Sequence, residues 1–235
     1  TYMDTMRSLY ADQIWMPTAK DNSDAFDKYI RLVQTGELPN LGGISDKNGR
    51  IQVNGAMEVM EINAIITEQI FNKNIASHDF YVEESYAMRW MNPYLTPHGL
   101  IMKLNARQQS QAEFNKTLQD DMDFWDWYTR RLTSNPGYER DVAARRSFSK
   151  LRASLAGLYA NRRMIQAAER AYIDGLLLYP YSPECTIRFM REVLYPYGRI
   201  DDSILYVEKL VYKGKWNAGY CSVYKQKKNP RLAEC

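Results

Sequence analysis

The sequence predicts an α+β, mostly α chain. A small α/β lobe is expected over residues 1–108, antiparallel helical hairpins over 109–212 and a basic tail over 213–235. Three observations lead there. Structural punctuation changes near residue 108, from short strand-like runs alternating with helical ones to almost unbroken helical periodicity. Charge changes at the same place, from a net of −3 over residues 1–110 to a net of +6 over 111–235. The composition, 45% apolar and 25% charged, is that of a folded globular chain and excludes a disordered or collagen-like one.

In the first half, Ile14-Trp15-Met16-Pro17 is an apolar run closed by proline. Asn22-Ser23-Asp24 offers an N-cap for a helix over 25–35, with Phe26, Tyr29, Ile30 and Val33 on one face and Gly36 as its stop. Residues 39–49 read as a loop, and 50–54 alternate as a half-buried strand does. Residues 57–74 are the clearest helix. Strands are expected at 79–83 and 99–105, joined by a proline-containing connection. Strand, helix, strand in order suggests a small α/β unit, whose sheet an upstream strand would complete.

In the second half, residues 110–132 read as one helix, with Phe114, Leu118, Met122, Trp125 and Tyr128 repeating every three or four positions. Asn135-Pro136-Gly137 breaks it. A long helix is expected over 139–162, and helical pattern resumes to Tyr179, stops at Pro180, restarts after Ser182-Pro183 and pauses at Pro196-Tyr197-Gly198 before a last helix over 201–212. Within 149–180 the residues meet the tetratricopeptide pattern, which places small side chains where two antiparallel helices touch, large ones between them and proline at the end. Leu155, Ala156 and Tyr159 serve the first helix; Ala168, Tyr172, Gly175 and Pro180 serve the second. Shifted by 35 residues the match weakens to a degenerate repeat: Leu194, Ser203, Val207 and Leu210 stand for Tyr159, Ala168, Tyr172 and Gly175, and Arg191 in place of Ala156 is a departure.

Chemistry-bearing motifs are sparse. His78 and His98 have no second His or Cys at metal-ligand spacing, and Cys185, Cys221 and Cys235 form no CxxC pair. Gly42-Gly43 lacks the surroundings of a phosphate-binding loop. No catalytic residue, metal ligand or cofactor is therefore assigned. One polar constellation is a candidate ligand site: Glu83, Glu84 and Ser85 just past a strand, with His98 opening the next one; helix capping by Glu84-Ser85 is the alternative. Asp120, Asp121, Asp123 and Asp126 read as a solvated helix face. The arginines from Arg140 to Arg163 read as helix-to-helix ion pairs or a partner surface; interspersed acids and modest net charge argue against nucleic acid. The aromatics of Phe124-Trp125-Asp126-Trp127-Tyr128 cannot share one helix face, so some are expected to pack between the two halves or to lie exposed. Trp125, Trp127, Arg145 and Arg152 are the residues expected to face a protein partner. No run approaches the ~18 apolar residues of a membrane span. The chain opens at Thr1 with no initiator Met and reads as a fragment or a processed product.

Tyr81-Val82-Glu83-Glu84-Ser85, the segment from Tyr94 to Asn105, Phe124-Trp125-Asp126-Trp127-Tyr128 and the segment from Arg146 to Arg152 resemble the C-terminal soluble region of a bacterial family of multi-pass membrane proteins. That family is similar to the transmembrane protein O-mannosyltransferases that carry a tetratricopeptide tail, and the resemblance covers about residues 1–210. It implies that glycosyl transfer belongs to an upstream membrane-embedded part, whose acidic loop residues are not in this chain. The chain would then be an extracytoplasmic, periplasmic appendage that binds an acceptor protein, a glycan or its own membrane domain. A small-ligand-binding or enzymatic domain using Glu83, Glu84, Ser85 and His98 is the first alternative, and a free-standing tetratricopeptide scaffold the second.

Overall fold

The computed structural model describes residues 2–39, 44–47, 50–83 and 88–212. The tail from Lys213 onward, Glu84 and Ser85 lie outside the described residues. The chain is mostly helical with small antiparallel sheets, and it divides into two units.

The first unit comprises residues 1–80, 88–94 and 104–108. It holds helix α1 (Tyr2–Tyr10), helix α2 (Ala19–Gln34), strands β1 (Ile44–Lys47) and β2 (Arg50–Val53), and helix α3 (Ala56–Asn74). Helix α2 starts six residues before the expected 25. Thr18, directly after Pro17, is the true N-cap: its hydroxyl accepts from the Asp21 backbone N–H while the Asp21 carboxylate accepts from the Thr18 N–H at 2.7 Å. Residues 19–24 are mostly polar and carry no apolar stripe, so periodicity is blind to this first turn. The expected loop over 39–49 contains β1, which pairs antiparallel with β2 so that Ile44 faces Val53.

Two clusters fill this unit. Ala25, Tyr29, Ile30 and Ile65 form one core between α2 and α3. Phe71, at its far end, meets Phe80, Trp90 and Tyr94 at ring separations of 5.5, 5.4 and 5.8 Å. The last residue of α3, Asn74, is buried and clamps the apolar run at 14–17. Its Oδ1 accepts from the Trp15 N–H (2.7 Å), and its Nδ2 donates to the carbonyls of Trp15 (3.0 Å) and Ile70 (2.8 Å).

The strand–helix–strand order does not make a parallel βαβ unit. β2 and strand β3 (Phe80–Val82), which flank α3, belong to different sheets. β3 joins a three-stranded sheet in the order β3–β5–β4, with β4 at Leu95–His98 and β5 at Ile101–Leu104. β4 occupies the proline-containing connection. Pro97 fits there because β4 is an edge strand and its missing N–H breaks no central ladder. Gly99 turns β4 into β5 at φ 64, a left-handed conformation that side chains avoid.

The second unit comprises residues 81–87, 95–103 and 109–235. Helix α4 (Gln111–Thr133) opens on a capping box between Ser110 and Glu113. Asn135 and Pro136 then start a short helix, α5 (Pro136–Arg140), as N-cap and first residue. The single helix expected over 139–162 is thus two, because Asp141 caps a new one: its carboxylate accepts from the Ala144 N–H at 2.9 Å, opening α6 (Val142–Asn161). Helices α7 (Ile165–Leu178), α8 (Pro183–Phe189, continued by a π-helical turn over Met190–Leu194) and α9 (Ile200–Tyr212) complete the unit.

α6 and α7 form an antiparallel hairpin. Its register is visible in the contacts of Arg145 with Leu178, Ser149 with Gly175 and Arg152 with Asp174. Its connection is a Schellman turn, in which the Arg163 N–H donates to Ala160 and the Met164 N–H to Tyr159, with Arg163 left-handed at φ 59. The same turn recurs 35 residues later: the Gly198 N–H donates to Tyr195 and the Arg199 N–H to Leu194, with Gly198 at φ 71. Leu194, Ser203 and Val207 are buried, as Tyr159, Ala168 and Tyr172 are.

Candidate functional site

The densest chemistry in the second unit lies where α4, α6 and α7 meet. Arg152 of α6 is fully buried. Its Nη1 donates to Asp121 Oδ2 of α4 at 2.9 Å, and its Nε and Nη2 donate to Asp174 Oδ2 of α7 at 3.2 and 2.9 Å. Nη2 also lies 3.4 Å from Met122 Sδ, and the guanidinium sits 5.1 Å above the Trp125 ring centroid. The Tyr159 hydroxyl donates a short bond to Asp121 Oδ2. Trp125 is itself fixed by its indole N–H, which donates to the Gly99 carbonyl at 3.2 Å.

Burial sets the electrostatics here. It pushes the carboxyls of both Asp121 and Asp174 above their ordinary value, although Arg152 pulls each the other way. The Tyr159 hydroxyl is pushed well up by burial and by the Asp121 charge, so it stays a proton donor. Removing Arg152 alone would leave the buried Asp121 carboxylate without a cation, a loss of about 3–5 kcal/mol in such settings.

A second cluster follows one helix later. The Tyr172 hydroxyl donates to Glu192 Oε2 at 2.5 Å, and Arg188 Nε and Arg191 Nη2 donate to Glu192 Oε1 at 3.1 and 3.2 Å. The Arg188 guanidinium lies across Gly157 of α6, where an added Cβ would fall 1.9 Å from Nη2. Each cluster pairs a buried tyrosine with a carboxylate and an arginine, and each ties a neighbouring helical segment to the α6–α7 hairpin. Their chemistry is cross-linking of helices, and burial holds the two tyrosines neutral.

The residues expected to act are distributed differently. Glu83 is exposed just past β3, and Glu84 and Ser85 lie outside the described residues. His98 ends β4 instead of opening a strand; it is exposed, with its ring 5.2 Å from that of Tyr81. Trp125 and Arg152, expected at a partner surface, are buried, so neither can meet a partner while the unit stays folded. Trp127 is 51% exposed, with Arg131 stacked 5.7 Å from its ring centroid. Arg145 is half-buried. It donates to the carbonyls of Leu178 (3.3 Å) and Glu139 (3.1 Å) and lies 5.7 Å from the Tyr179 ring, which caps the end of α7.

The acidic run on α4 is not uniformly solvated. Asp120 and Asp123 are exposed, Asp126 pairs with Arg170 of α7, and Asp121 is buried. A signal for this existed. Asp121 falls on the stripe of Phe114, Leu118, Met122 and Trp125, so helical spacing alone directs it inward. That Asp121 would accept from Arg152 and Tyr159, and that Arg152 would also bind Asp174, had no such signal, because the four come from three separate helices.

Among the described residues, no group of three or more His, Cys, Asp and Glu side chains is placed to hold a metal ion, and no helix is long and apolar enough to cross a membrane. No family model, curated protein or solved structure matches the chain.

Proposed function

We propose that the chain is a non-catalytic interaction module with tetratricopeptide-like hairpins, serving a larger membrane glycosyltransferase-like protein on the extracytoplasmic, periplasmic face of a bacterial membrane. The observation that carries the helical part of this reading is the recurrence of one Schellman turn after 35 residues. With it recur buried positions on both sides, Tyr159 to Leu194, Ala168 to Ser203 and Tyr172 to Val207. Repeats of this kind stack hairpins and present side chains along an extended surface. Supporting the non-catalytic part, the strongest charged groups of the second unit, Arg152, Asp121 and Asp174, are engaged with one another in its interior. The membrane and glycosyltransferase parts rest on the sequence resemblance alone.

The partner in this reading is a polypeptide, an acceptor protein or the upstream membrane domain, and Trp127 with Arg131 is the exposed aromatic–cationic pair that would meet it. Titrating the chain with an array of extended peptides should find binding that Trp127→Ala weakens at least tenfold with the helical circular dichroism unchanged. Sugar transfer from a lipid-linked donor by this chain alone would overturn the reading, and so would peptide binding indifferent to Trp127.

A further inference from the structure

The buried cluster of α4, α6 and α7 holds two carboxyl groups against one guanidinium. Asp121 is buried and the Asp174 side chain is 14% exposed, so with both ionised a single buried guanidinium faces two negative charges beside Trp125 and Met122. The groups facing it can be named for each helix. α4 contributes Asp121, with Asp123 exposed further along and Asp126 bound to Arg170; α6 contributes Arg152 and the neutral Tyr159; α7 contributes Asp174 and Arg170. Arg170 is half-exposed and bound to Asp126; its charge also favours ionised Asp174, but burial outweighs it there.

The hydrogen bonding is lopsided in the same sense. Asp121 Oδ2 accepts from both Arg152 and Tyr159, whereas Asp121 Oδ1 is buried and has no hydrogen-bond partner among the described residues. An ionised carboxylate with one oxygen unsatisfied is costly in such a place, and a neutral carboxyl is much less so.

We infer that Asp121, Asp174 and Arg152 form a proton-binding site in the core of the second unit, so that α4 is held on the α6–α7 hairpin more firmly in mildly acidic than in alkaline solution. The proton belongs to the pair of carboxyls jointly, as coupled groups share their titration. The upward direction of both carboxyls agrees with this. A carboxyl raised on folding binds more protons in the folded state than in the unfolded one between its two pKa values. Stability from this site is therefore complete below the unfolded value of 3.8 and is lost as pH rises through the folded value. One proton sets the slope, at most a tenfold rise in the unfolding constant for each pH unit.

The test compares the full chain with Asp121→Asn, which keeps an oxygen to accept from Arg152 and Tyr159 and removes the charge. Urea unfolding between pH 4 and pH 9, with amide exchange followed in α4, α6 and α7, gives the ratio of unfolding constants, wild type over variant. The ratio should be smallest at pH 4, rise by up to tenfold per unit through the titration and then level. Asp174→Asn should do the same, since either substitution leaves one carboxylate matched to one arginine. A ratio independent of pH, or a variant whose relative loss is greater at pH 8 than at pH 4, overturns the inference, because ionised Asp121 would then be the stabilising form. Carboxyl carbon shifts of Asp121 and Asp174 in the wild-type chain give a readout that survives if a variant fails to fold. Titration of both at or below the ordinary aspartate value overturns the inference, and a titration displaced upward supports it.

Discussion

Gly175 tests the closest approach in the helical hairpin. A Cβ at this position would lie 3.0 Å from Cys185 Sγ and 3.3 Å from the Ser149 carbonyl oxygen. Two effects oppose each other in Gly175→Ala. Alanine favours a helix interior over glycine by about 1 kcal/mol. Forcing a methyl into a filled core costs about 1–3 kcal/mol. The Ser149 oxygen is backbone of α6 and cannot yield without shifting the hairpin, and Cys185 is fully buried, so the steric term should win and leave a net loss of about 1 kcal/mol. Pairing the substitution with Cys185→Ala separates the terms. Without the sulfur the nearest neighbours are the Ser149 oxygen at 3.3 Å and the Ala153 nitrogen at 3.9 Å, and Gly175→Ala should then be neutral or mildly stabilising, a coupling of about 1 kcal/mol between the sites. Urea titrations of the four proteins in the cycle resolve this, since 1 kcal/mol moves a midpoint by roughly 0.3–1 M. If Gly175→Ala stabilises the wild-type chain by its full helix preference, or if the two substitutions simply add, the close approach of α6, α7 and α8 at this glycine is refuted.

Three further outcomes are expected. Arg163→Gly should stabilise the chain by about 0.5–1 kcal/mol, because Arg163 holds the left-handed position of the α6–α7 turn that Gly198 fills in the next one; a lower thermal midpoint for the variant would count against that turn. In a Cys221→Ser, Cys235→Ser background, Cys185 should resist thiol reagents at pH 8 until urea unfolds the chain. Burial pushes its thiol up to about 12 and the side chain has no exposed surface, so rapid labelling of the folded protein would contradict this packing. Asn74→Ala should cost about 2–3 kcal/mol and speed amide exchange at Trp15, since it strips the partners from both backbone groups of Trp15; an unchanged exchange rate there would show that the clamp is not formed.

What could be read from the sequence was what neighbours along the chain decide. The extent of α4 follows from its apolar spacing and the break at Asn135-Pro136-Gly137, and the stop near Gly198 follows from a residue that tolerates a left-handed turn. Where local signals compete, reading failed. Thr18 and Asn22-Ser23-Asp24 are all able caps, and the choice of Thr18 is fixed by its reciprocal bond with Asp21. Asp141 ends α5 and begins α6 in a stretch whose apolar spacing looks continuous. Pro97 argued against a strand, yet β4 forms because its place at the sheet edge makes the missing N–H harmless. That place depends on how β3 and β5 pair, which no residue near Pro97 encodes.

The candidate residues divide along the same line. Trp127 remains exposed as its position on α4 allows, whereas Trp125, two residues away, and Arg152 are drawn inside. By itself the sequence determined the helical periodicity of the second unit and its breaks at Asn135-Pro136 and Gly198, because these depend on contacts within a turn or between adjacent turns. Helical spacing turned Asp121 inward, but only the tertiary structure decided which charges meet it there. Asp121, Arg152 and Asp174 are chemically identical to the solvated acids and arginines beside them, and they become a core cluster only when three helices bring them within 3 Å across separations of 31 and 22 residues.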